Sequence, residues 1–132
     1  MIFSASLRIR HSAWSADSVC DYVKLIPKFI QDLGKERTTP TGQTLTGCYE
    51  MTYVSFPLYS GNEISFEDFF NTVISNGSLK DKNFSIIWES GGSAEILLGV
   101  NIKDNEWISL EMPHLDCLSK ARLEMQFDIY TE

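Results

Sequence analysis

Two segments in which apolar and polar residues alternate, one near each end of the chain, constrain the fold more than any other feature. Every second side chain is apolar in residues 3–10 and again in residues 123–130. A period of two is typical of a β-strand with one buried face and one exposed face. The side chains predicted to face the core are Phe3, Ala5, Leu7, Ile9, Leu123, Met125, Phe127 and Ile129.

The two alternating segments are also predicted to be neighbours in one sheet. Arg8 and Arg10 would then lie near Glu124 and Asp128 on the exposed face.

Capping residues followed by apolar positions at helical spacing predict three helices. The predicted helices cover residues 15–26, 65–76 and 113–121. Ser65 is a strong cap for the second helix. Pro113 suits the first turn of the third helix, where its missing N–H costs nothing.

The segments between the helices complete a mixed fold. Further strands are predicted at residues 48–58, 84–88, 94–102 and 107–110, with a long polar loop at residues 35–47 and a hairpin turn at Gly91 and Gly92. The resulting order is β-α-β-α-β-β-β-α-β. Three consecutive strands favour a meander, so we predict an α+β fold in which a largely antiparallel sheet has its helices packed on one face. A length of 132 residues suits a single domain, residues 1–132.

The net charge of the chain limits which classes of molecule are expected as its partner. Eighteen acidic residues against 11 basic ones give a formal net charge of −7. Such a surface repels nucleic acid and anionic membranes and attracts a basic protein. No apolar run approaches the roughly 18 residues that a membrane span needs, and the N-terminal residues do not have the pattern of a signal peptide. We therefore expect a cytoplasmic protein with no nucleic-acid partner and no membrane partner.

The cysteines and histidines do not indicate an enzyme or a metal site. Cys20, Cys48 and Cys117 are widely spaced and read as three reduced thiols. His11 and His114 have no metal-ligand spacing to the cysteines and no nucleophile motif nearby, so we interpret them as surface or helix-start histidines. The expectation is a protein without catalytic residues, metal or cofactor.

Three stretches of the sequence carry a resemblance to a known family. They are the first strand at residues 3–9 with the Val-x-x-Tyr-Val pattern of the helix after it, the loop at residues 34–42, and the C-terminal half from residues 90–99 to residues 123–130. Together they resemble the bacterial domain-of-unknown-function 4279 family over nearly the whole chain. One departure is the strand after the loop, where the family leads us to expect a Trp and this chain has Tyr49 and Tyr53.

The resemblance implies no enzyme activity and no cofactor. Small acidic proteins of this kind look like the immunity proteins found beside bacterial toxins, including contact-dependent inhibition toxins. This step is an analogy from size, charge and family, because no motif carries it.

Nine residues are candidates for contacting a partner. Trp14 is the tryptophan predicted to lie at the surface, whereas Trp88 and Trp107 are predicted in the core. Arg37 lies in the polar loop, where it could hold an anion or be part of an exposed structural loop. The candidates are Trp14, Arg37, Glu95, Asp104, Glu106, Glu111, Asp116, Glu124 and Asp128.

The acidic candidates favour one function and leave another open. A surface rich in carboxylates could block the active cleft of a cationic toxin and associate quickly by electrostatic steering, although such a surface also serves solubility alone. The function predicted from the sequence is an immunity protein that binds and neutralises a cognate toxin, with a basic toxin as its partner. The alternative is a non-enzymatic binding or scaffold module, which could be a homodimer formed through an exposed sheet edge.

Overall fold

A five-stranded sheet organises the computed structural model, which describes residues 2–103 and 105–131. The described elements are β1 (Ile2–His11), α1 (Ala16–Val23), β2 (Phe29–Gln31), β3 (Glu36–Thr38), β4 (Thr44–Cys48), β5 (Thr52–Gly61), α2 (Phe66–Phe69), α3 (Ser85–Glu89), β6 (Gly92–Ile102), α4 (Met112–Ala121) and β7 (Glu124–Thr131). The helix α2 continues directly into a π-helix, Phe70–Ser75.

The sheet is mostly antiparallel, as the sequence predicts. Its strand order is β2-β5-β1-β6-β7, and β3 pairs with β4 in a separate two-stranded hairpin. Neighbouring strands of the large sheet run antiparallel except β6 and β7, which are parallel and are joined by α4. The prediction of an α+β fold with a largely antiparallel sheet is therefore confirmed.

The alternating pattern of β1 produces a sheet with one face in the core. Phe3, Ala5, Leu7 and Ile9 are all at most 4% exposed, whereas the polar residues between them lie on the open face. The same face of the sheet is continued by buried residues of β5 and β6, and helices cover it. Leu7, for example, lies between Phe56 and Ile96 in register.

The first helix begins where the sequence predicts but ends earlier. Ser15 is its N-cap, and the Oγ of Ser15 accepts the backbone N–H of Ser18 at 3.2 Å. The helix stops at Val23 because Lys24 takes a left-handed conformation with φ of 59°. Ile26, predicted to belong to this helix, lies outside it and is 86% exposed.

The prediction that the first and last strands pair is wrong. The strand β6 lies between β1 and β7. Arg8 nevertheless reaches across β6, and its Nη2 donates a hydrogen bond to Oε1 of Gln126 at 3.2 Å.

The predicted strand at residues 84–88 is also wrong, since most of it forms the short helix α3. A run of five residues with four apolar side chains fits a buried strand or a turn of helix equally well. Here Oδ1 of Asn83 accepts the backbone N–H of Ser85 at 2.8 Å, which favours the helical turn. Gly91 and Gly92 consequently connect a helix to β6 and do not form a hairpin turn.

Residues 107–110 do not form the predicted strand. Both sides of β6 are occupied, by β1 on one side and β7 on the other, so no place remains for a hairpin partner. The sequence predicts a loop at residues 35–47, but this segment contains strands that form the exposed β3–β4 hairpin. The observed element order is therefore β-α-β-β-β-β-α-α-β-α-β.

The last strand is less buried than its alternation predicts. Leu123, just before β7, is 6% exposed, but Phe127 is 39% exposed and Ile129 is 59% exposed. The reason is that β7 forms an edge of the sheet and α4 covers only part of it. Among the described residues, no helix combines the length and the apolar character required to cross a membrane.

Candidate functional site

Glu95 lies on the open face of the sheet, but two arginines bury it. Its Oε1 lies 2.6 Å from Nη2 of Arg8 and 2.7 Å from Nη1 of Arg10. The guanidinium of Arg10 also lies over the ring of Tyr53, 4.9 Å from the ring centroid. Glu95 is only 3% exposed. Its carboxylate therefore serves contacts within the chain.

Trp14 is half-buried and packs against the core. Its ring stacks on the His11 ring with centroids 4.8 Å apart, and it meets Tyr22 edge-on at 5.9 Å. The carbonyl oxygen of Trp14 accepts a hydrogen bond from Oγ1 of Thr52 at 2.7 Å. These contacts give Trp14 a structural role where β1 turns into α1.

His11 is fully buried, so the expectation of a surface histidine is wrong. Its Nδ1 accepts the backbone N–H groups of Ala13 at 3.0 Å and Trp14 at 2.9 Å, and Nε2 lies 2.8 Å from Oγ of Ser90. An Nδ1 that accepts two hydrogen bonds carries no proton. Burial lowers the pKa of His11, because desolvation penalises the charged imidazolium.

The two histidines lie at opposite ends of the sheet. His11 is the last residue of β1, whereas His114 lines a cleft together with Phe3 near the first residue of the same strand. The eight residue-to-residue steps from Phe3 to His11 span about 26 Å in an extended strand. His114 is 7% exposed, and its Nδ1 accepts the backbone N–H of Glu111 at 3.1 Å. The geometry does not assemble an acid–base pair from these two side chains.

The three cysteines are free thiols in the structure. Burial and the nearby carboxylates of Asp17 and Asp21 raise the pKa of Cys20, which disfavours the thiolate. The Sγ of Cys117 lies 3.7 Å from Oγ of Ser75. In the described part of the chain, His, Cys, Asp and Glu side chains form no group of three or more with a metal-binding arrangement.

The most distinctive concave feature is an acidic cleft at the end of the sheet where β5 and β6 terminate. It has a volume of about 560 Å³, within the range typical of binding sites. Three carboxylate side chains line it, from Glu63, Glu67 and Glu111. Trp107 also lines it and is 86% exposed. We call this feature the acidic cleft.

The acidic cleft is negative because two segments without basic residues meet there. The chain has no Lys or Arg between Arg37 and Lys80, and none between Lys103 and Lys120. The fold brings residues 62–67 of the first segment against residues 107–114 of the second. None of the described residues that line the cleft is a Lys or an Arg. The cleft is therefore suited to hold a cationic side chain.

The walls of the acidic cleft come from two loops that lead into helices. Residues 62–65 connect β5 to α2, and Oγ of Ser65 caps α2 by accepting the backbone N–H of Asp68 at 3.1 Å. On the other side, Glu111 is the N-cap of α4 and forms a reciprocal capping box with His114. Two capped helix starts therefore flank the cleft, and Glu63 and Glu67 are exposed at one of them.

A second concavity lies on the other side of the segment formed by residues 106–111. Glu106, Ile108 and Leu110 line this apolar groove together with Val100, Ile102, Phe127 and Ile129, and its volume is about 350 Å³. Trp107, Ser109 and Glu111 line the acidic cleft instead, and Ile108 lines both concavities. The segment therefore separates the acidic cleft from the apolar groove.

The remaining acidic candidates are spread over the surface. Glu106 and Glu111 line different concavities. Asp116 is exposed on α4 and lies 3.6 Å from Nζ of Lys120. Glu124 and Asp128 are exposed on the open face of β7. The structure thus does not join these candidates into one patch, and Asp104 lies outside the described residues.

Arg37 lies on β3 of the exposed hairpin. Its Nη1 donates a hydrogen bond to the carbonyl oxygen of Thr46 across the hairpin, at 3.4 Å. This contact links the two strands of the hairpin and leaves Arg37 exposed. Of the two interpretations of Arg37, an anion-binding residue or part of an exposed structural loop, its position agrees with the second.

Three residues of the acidic cleft are missed by the sequence analysis. Trp107 is predicted in the core, which is wrong because it is highly exposed. Glu63 and Glu67 lie beside the cap of α2, and no local sequence pattern marks them as functional residues. The absence of basic residues over two long segments is the sequence signal that could have found them.

Comparisons with known proteins do not extend this description. No protein-family model, no curated protein and no solved structure matches the chain.

Proposed function

We propose that this protein binds a basic partner through the acidic cleft, and that the partner is a bacterial toxin which the protein neutralises without catalysis. The observation that carries the proposal is the convergence of Glu63, Glu67 and Glu111 on one cleft that Trp107 also lines. Carboxylates supply charge complementarity to lysine and arginine side chains. An exposed tryptophan is a common binding hot spot.

In this proposal the protein acts in the bacterial cytoplasm, where an immunity protein meets an incoming toxin. The charge of −7 supports rapid association with a cationic toxin. The buried His11 and the raised pKa of Cys20 support a role without catalysis, because neither group is prepared for acid–base or nucleophilic chemistry.

The proposal is tested first in the native host. Deletion of the gene is expected to arrest growth in cells that carry an active toxin gene beside it. The same deletion is expected to leave cells without that toxin gene unaffected. Normal growth of the deletion strain in the presence of the active toxin would overturn the assignment as an immunity protein.

The use of the acidic cleft is tested by charge removal. The double variant Glu63→Gln, Glu67→Gln is expected to bind the toxin domain about tenfold more weakly or worse, since two carboxylates that face the partner are lost. The matched control is Glu36→Gln, Glu50→Gln, which removes two exposed charges at the β3–β4 hairpin. Calorimetric titration of each variant measures the Kd. If both double variants bind the toxin domain equally well, the cleft is not part of the interface.

A scaffold protein without a toxin partner is the second candidate. The exposed outer edge of β7 favours it, because a free strand edge can pair with another chain. A scaffold would show no toxin-dependent growth defect on deletion. The two candidates therefore give different results in the same deletion strains.

A further inference from the structure

The two edges of the large sheet differ strongly in length and protection. The edge strand β2 has three residues, whereas the edge strand β7 has eight. Short strands, lysines, prolines and bulges normally protect sheet edges from pairing with other chains. The segment from Glu124 to Thr131 contains no Lys and no Pro, and it pairs with β6 without a register shift.

The side chains of β7 on the helix-covered face of the sheet are apolar and accessible. Phe127 is 39% exposed and Ile129 is 59% exposed, and both line the apolar groove. An accessible apolar strip beside a free strand edge is the arrangement used in strand addition, where main-chain hydrogen bonds give affinity and side-chain pockets give specificity.

We propose that a second copy of this chain pairs with β7 in an antiparallel arrangement about a two-fold axis at Phe127. A two-fold axis perpendicular to the sheet makes the same strand edge meet itself, so every contact occurs twice. The two Phe127 side chains then lie opposite each other. Met125 of each copy lies opposite Ile129 of the other, at the apolar groove. This inference does not depend on the proposed toxin partner, because the acidic cleft lies on the other side of residues 106–111.

The charge pattern of β7 favours this register over the two registers shifted by one residue. On the open face, Gln126 of one copy lies opposite Asp128 of the other, and Glu124 lies opposite Tyr130. Each pair joins a hydrogen-bond donor to a carboxylate, and no like charges lie directly opposite. Moving the axis to Asp128 would oppose two aspartates. Moving it to Gln126 would oppose Glu124 and Asp128 twice, which is also repulsive.

Arg8 orients the polar contact that this pairing needs. Its Nη2 donates to Oε1 of Gln126 at 3.2 Å. With Oε1 held by Arg8, Gln126 is oriented to offer its Nε2 donor to a partner. This amide donor suits the Asp128 carboxylate of the second copy.

The first test is the mass of the protein in solution, measured by sedimentation equilibrium over a range of concentrations. We expect a dimer of twice the 15.0 kDa chain mass. Gln126→Glu places like charges opposite each other twice and is expected to weaken dimerisation at least tenfold. The matched control is Gln31→Glu on β2, at the other edge of the sheet. Adding Asp128→Asn to Gln126→Glu restores complementary pairs and is expected to recover the dimer.

Circular dichroism melting shows whether each variant is folded, and the rescue by the second substitution separates pairing from misfolding. A mass of 15.0 kDa at every concentration for the wild-type protein would overturn the inference. A dimer that Gln126→Glu leaves intact would overturn it as well.

The register is tested by cross-linking in a Cys48→Ser background, which removes the exposed native thiol. Phe127→Cys places two thiols opposite each other and is expected to form an intermolecular disulfide on mild oxidation. Ile129→Cys is the control, because its two thiols would lie four residues apart along the paired strands, about 13 Å, which is too far for a disulfide. Faster cross-linking at position 129 than at position 127 would contradict this register.

Discussion

At the scale of single residues, the stability of the fold depends on buried polar side chains that form ion pairs or hydrogen bonds within the chain. Glu95 neutralises two arginines on the open face of the sheet. The Nε of Arg8 is buried and lacks a hydrogen-bond partner within the described part of the chain. A buried charge cluster contributes little net stability when intact but is costly to break, since removal of one member leaves the others desolvated and unpaired.

Replacement of Glu95 by alanine is therefore expected to destabilise the protein by about 3 kcal/mol. This is the low end for a broken buried pair, because the Arg10 side chain is 35% exposed and can regain water. The control is Glu124→Ala, the exposed position paired with Glu95 in register, with an expected change within about 0.5 kcal/mol. Urea unfolding measures both values. Equal stability of the two variants would contradict the role of Glu95.

His11 makes stability depend on pH in a defined direction. Burial lowers the pKa of His11 below its ordinary value of 6.5. As pH falls below about 6.5, the unfolded chain binds a proton that the folded chain does not, so the free energy of unfolding decreases. The stability from this neutral imidazole is complete above that pH and is lost progressively below it.

The variant His11→Asn removes this titration while its Oδ1 can still accept the backbone N–H of Ala13. We expect it to be less stable than the wild type at about pH 8 but to lose less stability between about pH 8 and pH 5. Urea unfolding across this range measures the two slopes. Parallel slopes for both proteins would show that His11 does not carry the pH dependence.

At the scale of elements, the helix after β5 shows how packing changes local geometry. Phe66, Phe69, Phe70 and Ile74 are buried, and the chain passes from α-helix into π-helix at Phe70. The π-helix widens the turn and ends with the backbone N–H of Asn76 donating to the carbonyl oxygen of Asn71 at 2.9 Å. The helix ends at Ser75 with Asn76 as its C-cap, in agreement with the predicted range of residues 65–76.

Gly77 is required by the close approach of this helix end. A Cβ at this position would lie 1.8 Å from the carbonyl oxygen of Thr72. Gly77→Ala is therefore expected to cost at least about 2 kcal/mol, since the backbone must move to accept the methyl group. Ser78→Ala, at the adjacent exposed residue, is the control. Thermal unfolding compares the two, and an unchanged Tm for Gly77→Ala would refute the close contact.

At the scale of the whole molecule, the acidic cleft and the apolar groove are distinct concavities that meet at Ile108. Segments without basic residues meet at the acidic cleft, and the apolar groove lies on the other side of residues 106–111. Binding of a basic partner at the cleft and pairing of two copies at β7 therefore use different surfaces. The two associations can occur in one assembly.

Association with a basic toxin domain is expected to slow several-fold as salt rises from low to physiological concentration. Screening shortens the range over which the negative surface attracts the partner, to about 8 Å at physiological ionic strength. Stopped-flow measurement of the association rate constant tests this, with Glu63→Gln, Glu67→Gln as a variant of reduced salt dependence. An association rate constant that does not depend on salt would show that electrostatic steering does not contribute to binding.

The amino-acid sequence by itself determined the fold class, the alternation of β1, the capped starts of α1 and α2, and the presence of Pro113 in the first turn of α4. These features depend on contacts within a few residues, so local patterns are sufficient to predict them. Residues 84–88 mark the limit of such patterns, since a short apolar run fits a helix as well as a strand.

Tertiary structure alone decided the neighbours of each strand and the surroundings of each candidate side chain. β7 became an edge because it joined β6 through α4, and this left Phe127 and Ile129 accessible. Glu95 became buried because two arginines of β1 lie beside it, whereas Trp107 became exposed because β6 had no free side for its segment. These outcomes depend on contacts between residues far apart in the chain, which a periodic pattern does not encode.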